Sequence, residues 1–70
     1  LLIIGAGGAA KAIAYEGLQR GGRIIIANRT VKKGEILAKE VKGKGIGIPS
    51  IASETYDILI NTTSVGMAPD

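Results

Sequence analysis

A glycine-rich string, GAGGAA at residues 5–10, constrains the fold of this 70-residue chain more than any other feature. It follows an apolar run, LLII, and opens a segment with helical spacing, so it fits G-x-G-x-x-A at a strand-to-helix junction. Gly5 permits a tight turn, Gly7 lets a pyrophosphate approach the backbone, and Ala10 lets the helix pack close to the strand. A glycine turn alone can be a simple bend, but this context favours dinucleotide binding at the start of the helix.

The apolar runs of the chain are continuous rather than alternating, which is typical of strands buried on both faces of a parallel sheet. They cover residues 1–4, 24–27 and 58–60, with a weaker strand at 44–48, where glycines at 43, 45 and 47 disfavour a strand. Helical segments are predicted at residues 8–20 and 31–42, and a short helix or turn at 49–56. The order predicts an α/β fold, a partial Rossmann-like, doubly wound parallel sheet (β-α-β-α-β-α-β), in which residues 1–70 form one incomplete domain.

Helical spacing predicts which side chains face the sheet. The first helix has small apolar residues at Ala9, Ala12, Ile13 and Gly17, and the second has Ile36, Leu37 and Val41. Thr30 stands where a side chain can cap the second helix. Because both crossovers run in one direction, both helices should lie on one face, and we expect the other face to be apolar and exposed.

Composition excludes several classes of site within this segment. The chain has no Cys and no His, so a disulfide framework, a thiolate nucleophile, a Ser–His triad and a typical zinc site are all excluded. With two aromatic residues, both Tyr, a base-stacking platform for nucleic acid is not expected. No apolar run reaches the roughly 18 residues of a membrane span. The net charge of +3 fits either a solvated surface or a phosphorylated ligand.

A basic string follows the second strand, about 20 residues beyond the glycines, where NAD-specific sites usually place an Asp or Glu. Here the residue is Asn28, which would not repel a 2′-phosphate, and Arg29 and Thr30 follow it. Lys32 or Lys33 would add a second cation in the first turn of the next helix, where the helix dipole disfavours one unless an anion is near. The string predicts NADP as the cofactor, and a solvated charged turn is the alternative.

A polar string, NTTSVGM at residues 61–67, follows the last strand. In a sheet with this order the fourth strand lies beside the first, and ligands bind at the carboxyl ends where the strand order reverses. The hydroxyl and amide side chains would then line the cofactor between its pyrophosphate and its nicotinamide ribose. An ordinary polar turn is the alternative.

Together the three strings resemble those of shikimate dehydrogenases, over nearly the whole chain. The resemblance implies a pyrophosphate site at Gly5, Ala6, Gly7, Gly8 and Ala9, an adenosine 2′-phosphate site at Asn28, Arg29, Thr30 and Lys33, and a nicotinamide border at Thr63, Ser64 and Val65. The family usually has Arg at the position of Lys33, so this chain keeps the charge but loses the bidentate geometry.

The resemblance further implies reversible, NADPH-dependent reduction of 3-dehydroshikimate to shikimate in aromatic amino-acid biosynthesis. In the family a Lys–Asp pair on a separate substrate domain handles the proton, so we assign no catalytic residue here. We expect this segment of a longer enzyme to be inactive alone and to meet its substrate through that domain. The expected location is cytoplasmic, or plastidic for a plant-type enzyme.

Three alternatives stay open from the sequence. The first is a quinate/shikimate dehydrogenase, and the second is a bifunctional dehydroquinate dehydratase/shikimate dehydrogenase, whose plant-type sequence is similar around Lys11 and Tyr15. The third is a non-catalytic, nucleotide-sensing Rossmann domain. Such sensors commonly carry an acidic residue after the second strand, so Asn28 speaks against this alternative.

Overall fold

The computed structural model describes residues 1–63, in which four parallel strands alternate with helices. The elements are β1 (Leu2–Ile4), α1 (Gly8–Gln19), β2 (Ile25–Asn28), α2 (Val31–Glu40), β3 (Lys44–Gly47), a 3₁₀ helix (Ile48–Ser53) and β4 (Leu59–Asn61). The strand order is β3-β2-β1-β4, with every neighbouring pair parallel. This confirms the predicted α/β class and the partial Rossmann-like sheet, including the position of β4 beside β1.

Both α-helices lie on one face of the sheet, as the crossover argument predicts. Ile3 pairs in register with Ile26 and Ile60, and Ile3 and Ile26 are fully buried against the helices. Neither of these helices is long and apolar enough to cross a membrane, nor is any other helix in residues 1–63.

The side chains that α1 buries differ from the predicted set. Ala10 and Ala14 face the sheet, whereas Ala9 and Ala12 are exposed. Ile13 and Gly17 are only partly buried. The prediction was therefore displaced by about one residue, because α1 is apolar over a wider arc than the sheet covers and spacing alone does not locate the centre of that arc.

The buried face of α2 also differs in part from the prediction. Leu37 and Val41 are buried as expected, but Ile36 is 58% exposed and Ala38 takes its place in the core. Gly34 is buried too, and a side chain there would approach Asn28 closely. The buried residues Gly34, Leu37, Ala38 and Val41 form one stripe with i, i+3, i+4 and i+7 spacing, and Ile36 lies about 100° from Leu37 on the side away from Ala38.

The opposite face of the sheet is covered at its centre, so the expected exposed apolar face is wrong for β1 and β2. Leu2 and Ala27 are fully buried there, and Ile51 of the 3₁₀ helix packs on the same cluster. The connection from β3 to β4 reverses the direction of strand addition, and right-handedness then places it on this second face. Exposed apolar surface is found instead around β4, where Ile58 and Leu59 are about half exposed.

Close packing of α2 on β3 depends on a glycine. A Cβ built on Gly45 would lie 2.6 Å from the Cα and 2.8 Å from the backbone nitrogen of Glu35. Real Cβ atoms do not approach backbone atoms so closely, so the helix or the strand would have to move. Glycine at this position therefore sets the distance between α2 and β3.

A polar cluster on the surface joins α1 to α2. The Tyr15 hydroxyl donates a hydrogen bond of 2.8 Å to Glu40 Oε1, and Lys11 Nζ lies 3.6 Å from the same oxygen. The hydrogen bond from Tyr15, followed by the charge of Lys11, lowers the pKa of Glu40 from its ordinary value. The same bond raises the pKa of Tyr15.

Replacing Gly45 with Ala should lower the free energy of unfolding by about 1–3 kcal/mol, because the added methyl group overpacks the contact between α2 and β3. Urea denaturation measures the change. Gly8→Ala is the matched control, since a Cβ at Gly8 meets nothing within 4 Å and Ala favours a helix. Equal stability of the two variants would contradict the role assigned to Gly45.

Replacing Tyr15 with Phe should raise the pKa of Glu40 towards its ordinary value, because the carboxylate loses its strongest hydrogen-bond donor. The folded-state pKa of Glu40 lies below its unfolded value, so its stabilising contribution is present above the unfolded value and is lost as the pH falls through the folded one. Carboxyl-carbon NMR across an acid titration measures this shift. Tyr56→Phe is the control, and an unchanged Glu40 titration in Tyr15→Phe would refute the assignment.

Candidate functional site

The carboxyl ends of β1, β2 and β4 open on one cleft of about 470 Å³. It lies where the strand order reverses on either side of β1, which is where open parallel sheets bind ligands. The lining residues are Gly5, Ala6, Gly7, Gly8, Ala9, Asn28, Thr62 and Thr63. One cleft thus brings together residues of all three strings that the sequence singles out.

Gly5 makes the turn that leads from β1 into the cleft. Its φ of +118° lies in a region that residues with a side chain rarely adopt. Its N–H donates a hydrogen bond of 2.7 Å to the carbonyl oxygen of Ala27, and an added Cβ would overlap the Thr62 hydroxyl. Both the backbone conformation and the packing therefore require glycine at position 5.

Gly7, the N-cap of α1, and Gly8, its first residue, have no such internal reason to be glycine. The φ of Gly7 is −87°, and a Cβ at either residue would meet nothing within 4 Å. Gly7 offers no side-chain cap, and the first turn of α1 contains no acidic residue. The N-terminus of α1, with its free N–H groups and the positive end of its dipole, is therefore open to an anion from outside.

Asn28, at the end of β2, organises the turn into α2. Its Nδ2 donates a hydrogen bond of 2.9 Å to the carbonyl oxygen of Thr30, which also accepts one of 3.1 Å from the backbone N–H of Lys33. Thr30 is the N-cap residue of α2, but its side chain makes no capping bond, so that prediction is wrong. The conformation at Thr30 is instead fixed by its carbonyl oxygen, which accepts from Lys33 and from the Asn28 side chain.

The basic residues of this string lie beside the cleft rather than in its lining. Arg29, Thr30 and Lys33 are exposed, and so is Lys32. None of the four ion pairs found in residues 1–63 includes Arg29, Lys32 or Lys33. Their charges are thus not neutralised by the described part of the chain, although the structure places only Asn28 of this string in the cleft wall.

Two hydroxyl residues after β4 form the far wall of the cleft. Thr62 donates twice to the carbonyl oxygen of Ile4, from its backbone nitrogen at 2.9 Å and from its hydroxyl at 2.7 Å. Asn61 Oδ1 accepts from the backbone nitrogen of Thr63 at 2.9 Å and from its hydroxyl at 2.6 Å. Because the Thr63 hydroxyl donates its proton to Asn61, its oxygen is left as a hydrogen-bond acceptor at the cleft.

Thr62 belongs to the polar string at residues 61–67, but it is not among the site residues predicted from the sequence. Its place in the cleft follows from the register of β4 against β1. Ile4 pairs with Asn61, so the residues that follow them, Gly5 and Thr62, lie together. Thr63 lines the cleft as predicted. Ser64 and Val65, the other two residues assigned to this side, lie outside the described residues.

The chemistry of the lining is that of a binding site. None of the lining residues within residues 1–63 carries an ionisable side chain, so this part of the cleft offers backbone N–H groups, hydroxyls and an amide but no group that transfers a proton at neutral pH. Within residues 1–63 no cluster of three acidic or metal-binding side chains is present. The arrangement suits a phosphorylated ligand held by hydrogen bonds.

Comparison with known proteins gives a consistent result. A family model described as shikimate / quinate 5-dehydrogenase matches residues 1–67. A shikimate dehydrogenase (NADP(+)) from Methanococcoides burtonii is 49% identical over 70 residues, which cover 96% of this chain and 26% of the relative. One from Pyrococcus furiosus is 47% identical over 68 residues, covering 96% of this chain and 25% of the relative.

A third relative is the chloroplastic bifunctional 3-dehydroquinate dehydratase/shikimate dehydrogenase of Arabidopsis thaliana. It is 40% identical over 73 residues, which cover all of this chain and 12% of the relative. The chain thus spans about a quarter of the length of the two single-function relatives and less of the bifunctional one. The matched residues include all of the cleft, and the chain belongs to the shikimate / quinate 5-dehydrogenase family.

Proposed function

We propose that this chain is the NADP-binding part of a shikimate dehydrogenase, which reduces 3-dehydroshikimate reversibly to shikimate with NADPH. One observation carries the proposal: the unobstructed N-terminus of α1 shares a cleft with a β2 end that has an amide in place of a carboxylate. Relatives that match nearly the whole chain are named as NADP(+) enzymes, which supports the choice of cofactor.

The pyrophosphate would bind at residues 5–9. Gly7 and Gly8 leave the backbone bare at the first turn of α1, so phosphate oxygens can approach its N–H groups. The helix dipole adds a favourable interaction with negative charge at this end. No acidic side chain in the first turn of α1 opposes it.

The adenosine 2′-phosphate would bind beside Asn28, between the end of β2 and the start of α2. Arg29, Thr30 and Lys33 supply two cations and a hydroxyl next to a cleft wall whose residues within 1–63 include no carboxylate. A hydrogen bond to a charged group contributes about 1.5–3 kcal/mol, which corresponds to roughly ten- to hundredfold preference for NADP over NAD per good contact.

The nicotinamide half would lie along the loop after β4. Thr63 presents a hydroxyl oxygen that accepts hydrogen bonds, which suits a ribose hydroxyl as its partner. Ser64 and Val65 belong to this side in the proposal because of the family resemblance. NADPH supplies the hydride, and this chain's residues hold and orient the dinucleotide.

The proton transfer would require residues outside this chain. The cleft lining within residues 1–63 contains no ionisable side chain, and Lys11 is engaged with Glu40 on the helix surface. Substrate would therefore be bound by another part of the polypeptide, and the segment alone would not reduce 3-dehydroshikimate. A dehydrogenase that also accepts quinate is the second candidate, favoured by the description of the matching family, which names both shikimate and quinate.

Replacing Arg29 with Ala in the polypeptide that carries this chain should weaken NADP binding by about ten- to hundredfold and leave NAD binding nearly unchanged. The reason is that Arg29 would contact the 2′-phosphate, which NAD lacks. Isothermal titration calorimetry at low salt measures both affinities. Arg23→Ala, which removes an exposed cation before β2, is the matched control. An equal loss for both cofactors would overturn the assignment of the 2′-phosphate site.

Replacing Gly7 with Val should abolish tight NADP binding, with an expected loss of at least about tenfold, while the free energy of unfolding changes by less than about 1 kcal/mol. A Cβ at Gly7 meets no protein atom within 4 Å, so the added side chain should obstruct the phosphate without disturbing the fold. Calorimetry and urea denaturation separate the two effects. Ala52→Val, on the exposed side of the 3₁₀ helix, is the control. Undiminished NADP affinity in Gly7→Val would exclude the pyrophosphate from this turn.

A further inference from the structure

Thr62 joins the two loops that form opposite walls of the cleft. The carbonyl oxygen of Ile4 accepts both of its hydrogen bonds from this one residue, at 2.9 Å from the backbone nitrogen and at 2.7 Å from the hydroxyl. The two residues are 58 positions apart in the chain. The end of β1 is thereby fixed to the start of the loop after β4.

The glycine turn and the hydroxyl also fit each other closely. A Cβ on Gly5 would overlap Thr62 Oγ1, and the next nearest atom, Thr63 Cγ2, would lie 3.4 Å away. From the other side, the Gly5 N–H is held by the carbonyl oxygen of Ala27. The position of the turn is therefore determined by β2 on one side and by Thr62 on the other.

Thr62 is not equipped to donate to a ligand. Its hydroxyl proton is used on Ile4, and its side chain is only partly exposed. Its neighbour Thr63, by contrast, is exposed at the cleft and is oriented by Asn61. An effect of Thr62 on a bound molecule would therefore be transmitted through the spacing of its neighbours.

We propose that Thr62 is a positioning residue for the dinucleotide, and this inference rests on the function proposed above. Its hydroxyl sets the distance between the glycine turn, where the pyrophosphate would bind, and Thr63, which would border the nicotinamide half. A ligand that spans both loops depends on that distance. A ligand confined to the adenosine half and its 5′-phosphate does not.

The physical basis is preorganisation. Without the hydroxyl bond, Thr62 keeps one backbone bond to Ile4 and gains freedom that a bound dinucleotide must remove. Loss of one neutral hydrogen bond of this kind corresponds to about a three- to tenfold change in an equilibrium constant. The change should appear in the affinity for the whole dinucleotide and not in that for its adenosine half.

The test compares NADP with 2′,5′-ADP, by calorimetry, in the polypeptide that carries this chain. Thr62→Ala should weaken NADP binding about three- to tenfold and leave 2′,5′-ADP binding within about twofold. Thr62→Ser, which keeps the donor, should restore NADP affinity. Thr55→Ala is the matched control, because it removes an exposed threonine far from the cleft.

Urea denaturation of each variant confirms that folded proteins are compared, and Thr62→Val replaces Thr62→Ala if the latter does not fold. Equal losses for NADP and 2′,5′-ADP would overturn the positioning role, as would unchanged NADP affinity or failure of Thr62→Ser to restore it. If the unmodified protein binds 2′,5′-ADP but Thr62→Ala has no effect on NADP, the inference alone fails. If the unmodified protein binds neither ligand, the proposed function fails.

Discussion

The central position of β1, paired in parallel with β2 on one side and β4 on the other, is the constraint on which the site depends. Because all three strands run the same way, their carboxyl ends meet at one edge, and the chain that leaves β1 must pass between two neighbours. It does so at Gly5, whose positive φ and missing side chain allow the turn to contact both Ala27 and Thr62. The tight turn at Gly5, held between Ala27 and Thr62, therefore forms the floor between the two walls of the cleft.

The N-termini of α1 and α2 both lie at this edge of the sheet and give it a positive electrostatic character. Neither α1 nor α2 has an acidic residue in its first turn, and neither has a side-chain cap. In α2, Lys32 and Lys33 add positive charge at the positive end of the dipole, which is unfavourable for the isolated helix. A phosphorylated ligand would remove this conflict, so the local electrostatics of the free chain and the proposed ligand are consistent with each other.

Much of this architecture is predictable from the sequence, because continuous apolar runs such as that of β1 report burial on both faces, and the glycine string reports the turn. The identity of the individual side chains that pack against the sheet is not predictable in this way. Ala9, Ala10, Ala12 and Ala14 are equally small and apolar, and their order does not reveal that only Ala10 and Ala14 meet the sheet. Ala12 and Ile13 instead line an apolar groove with Ile58 and Ile60 of the β4 segment, which explains why α1 is apolar over a wider arc than the sheet needs.

Long-range interactions account for the other differences. The 3₁₀ helix covers the second sheet face because the connection from β3 to β4 must cross behind β2 and β1, a consequence of topology rather than of local composition. A similar reason explains why the sequence did not identify Thr62 as a site residue. Its sequence neighbours make it one of several hydroxyls in a polar string, and only the register of β4 against β1 places it under Gly5.

The chemistry of the described cleft lining bears on how the proposed function would be divided between this chain and other parts of the enzyme. A hydride transfer to a carbonyl needs a proton donor near the reacting carbon, and such a donor has to titrate near the working pH. None of the lining residues within residues 1–63 does so, and the described groups whose pKa values are shifted, Tyr15, Glu40 and Asp57, lie outside the lining. A surface built from N–H groups, hydroxyls and an amide stays chemically constant while the cofactor changes its oxidation state. Under the proposed function it would hold both forms of the dinucleotide, and the proton would come from a group outside this lining.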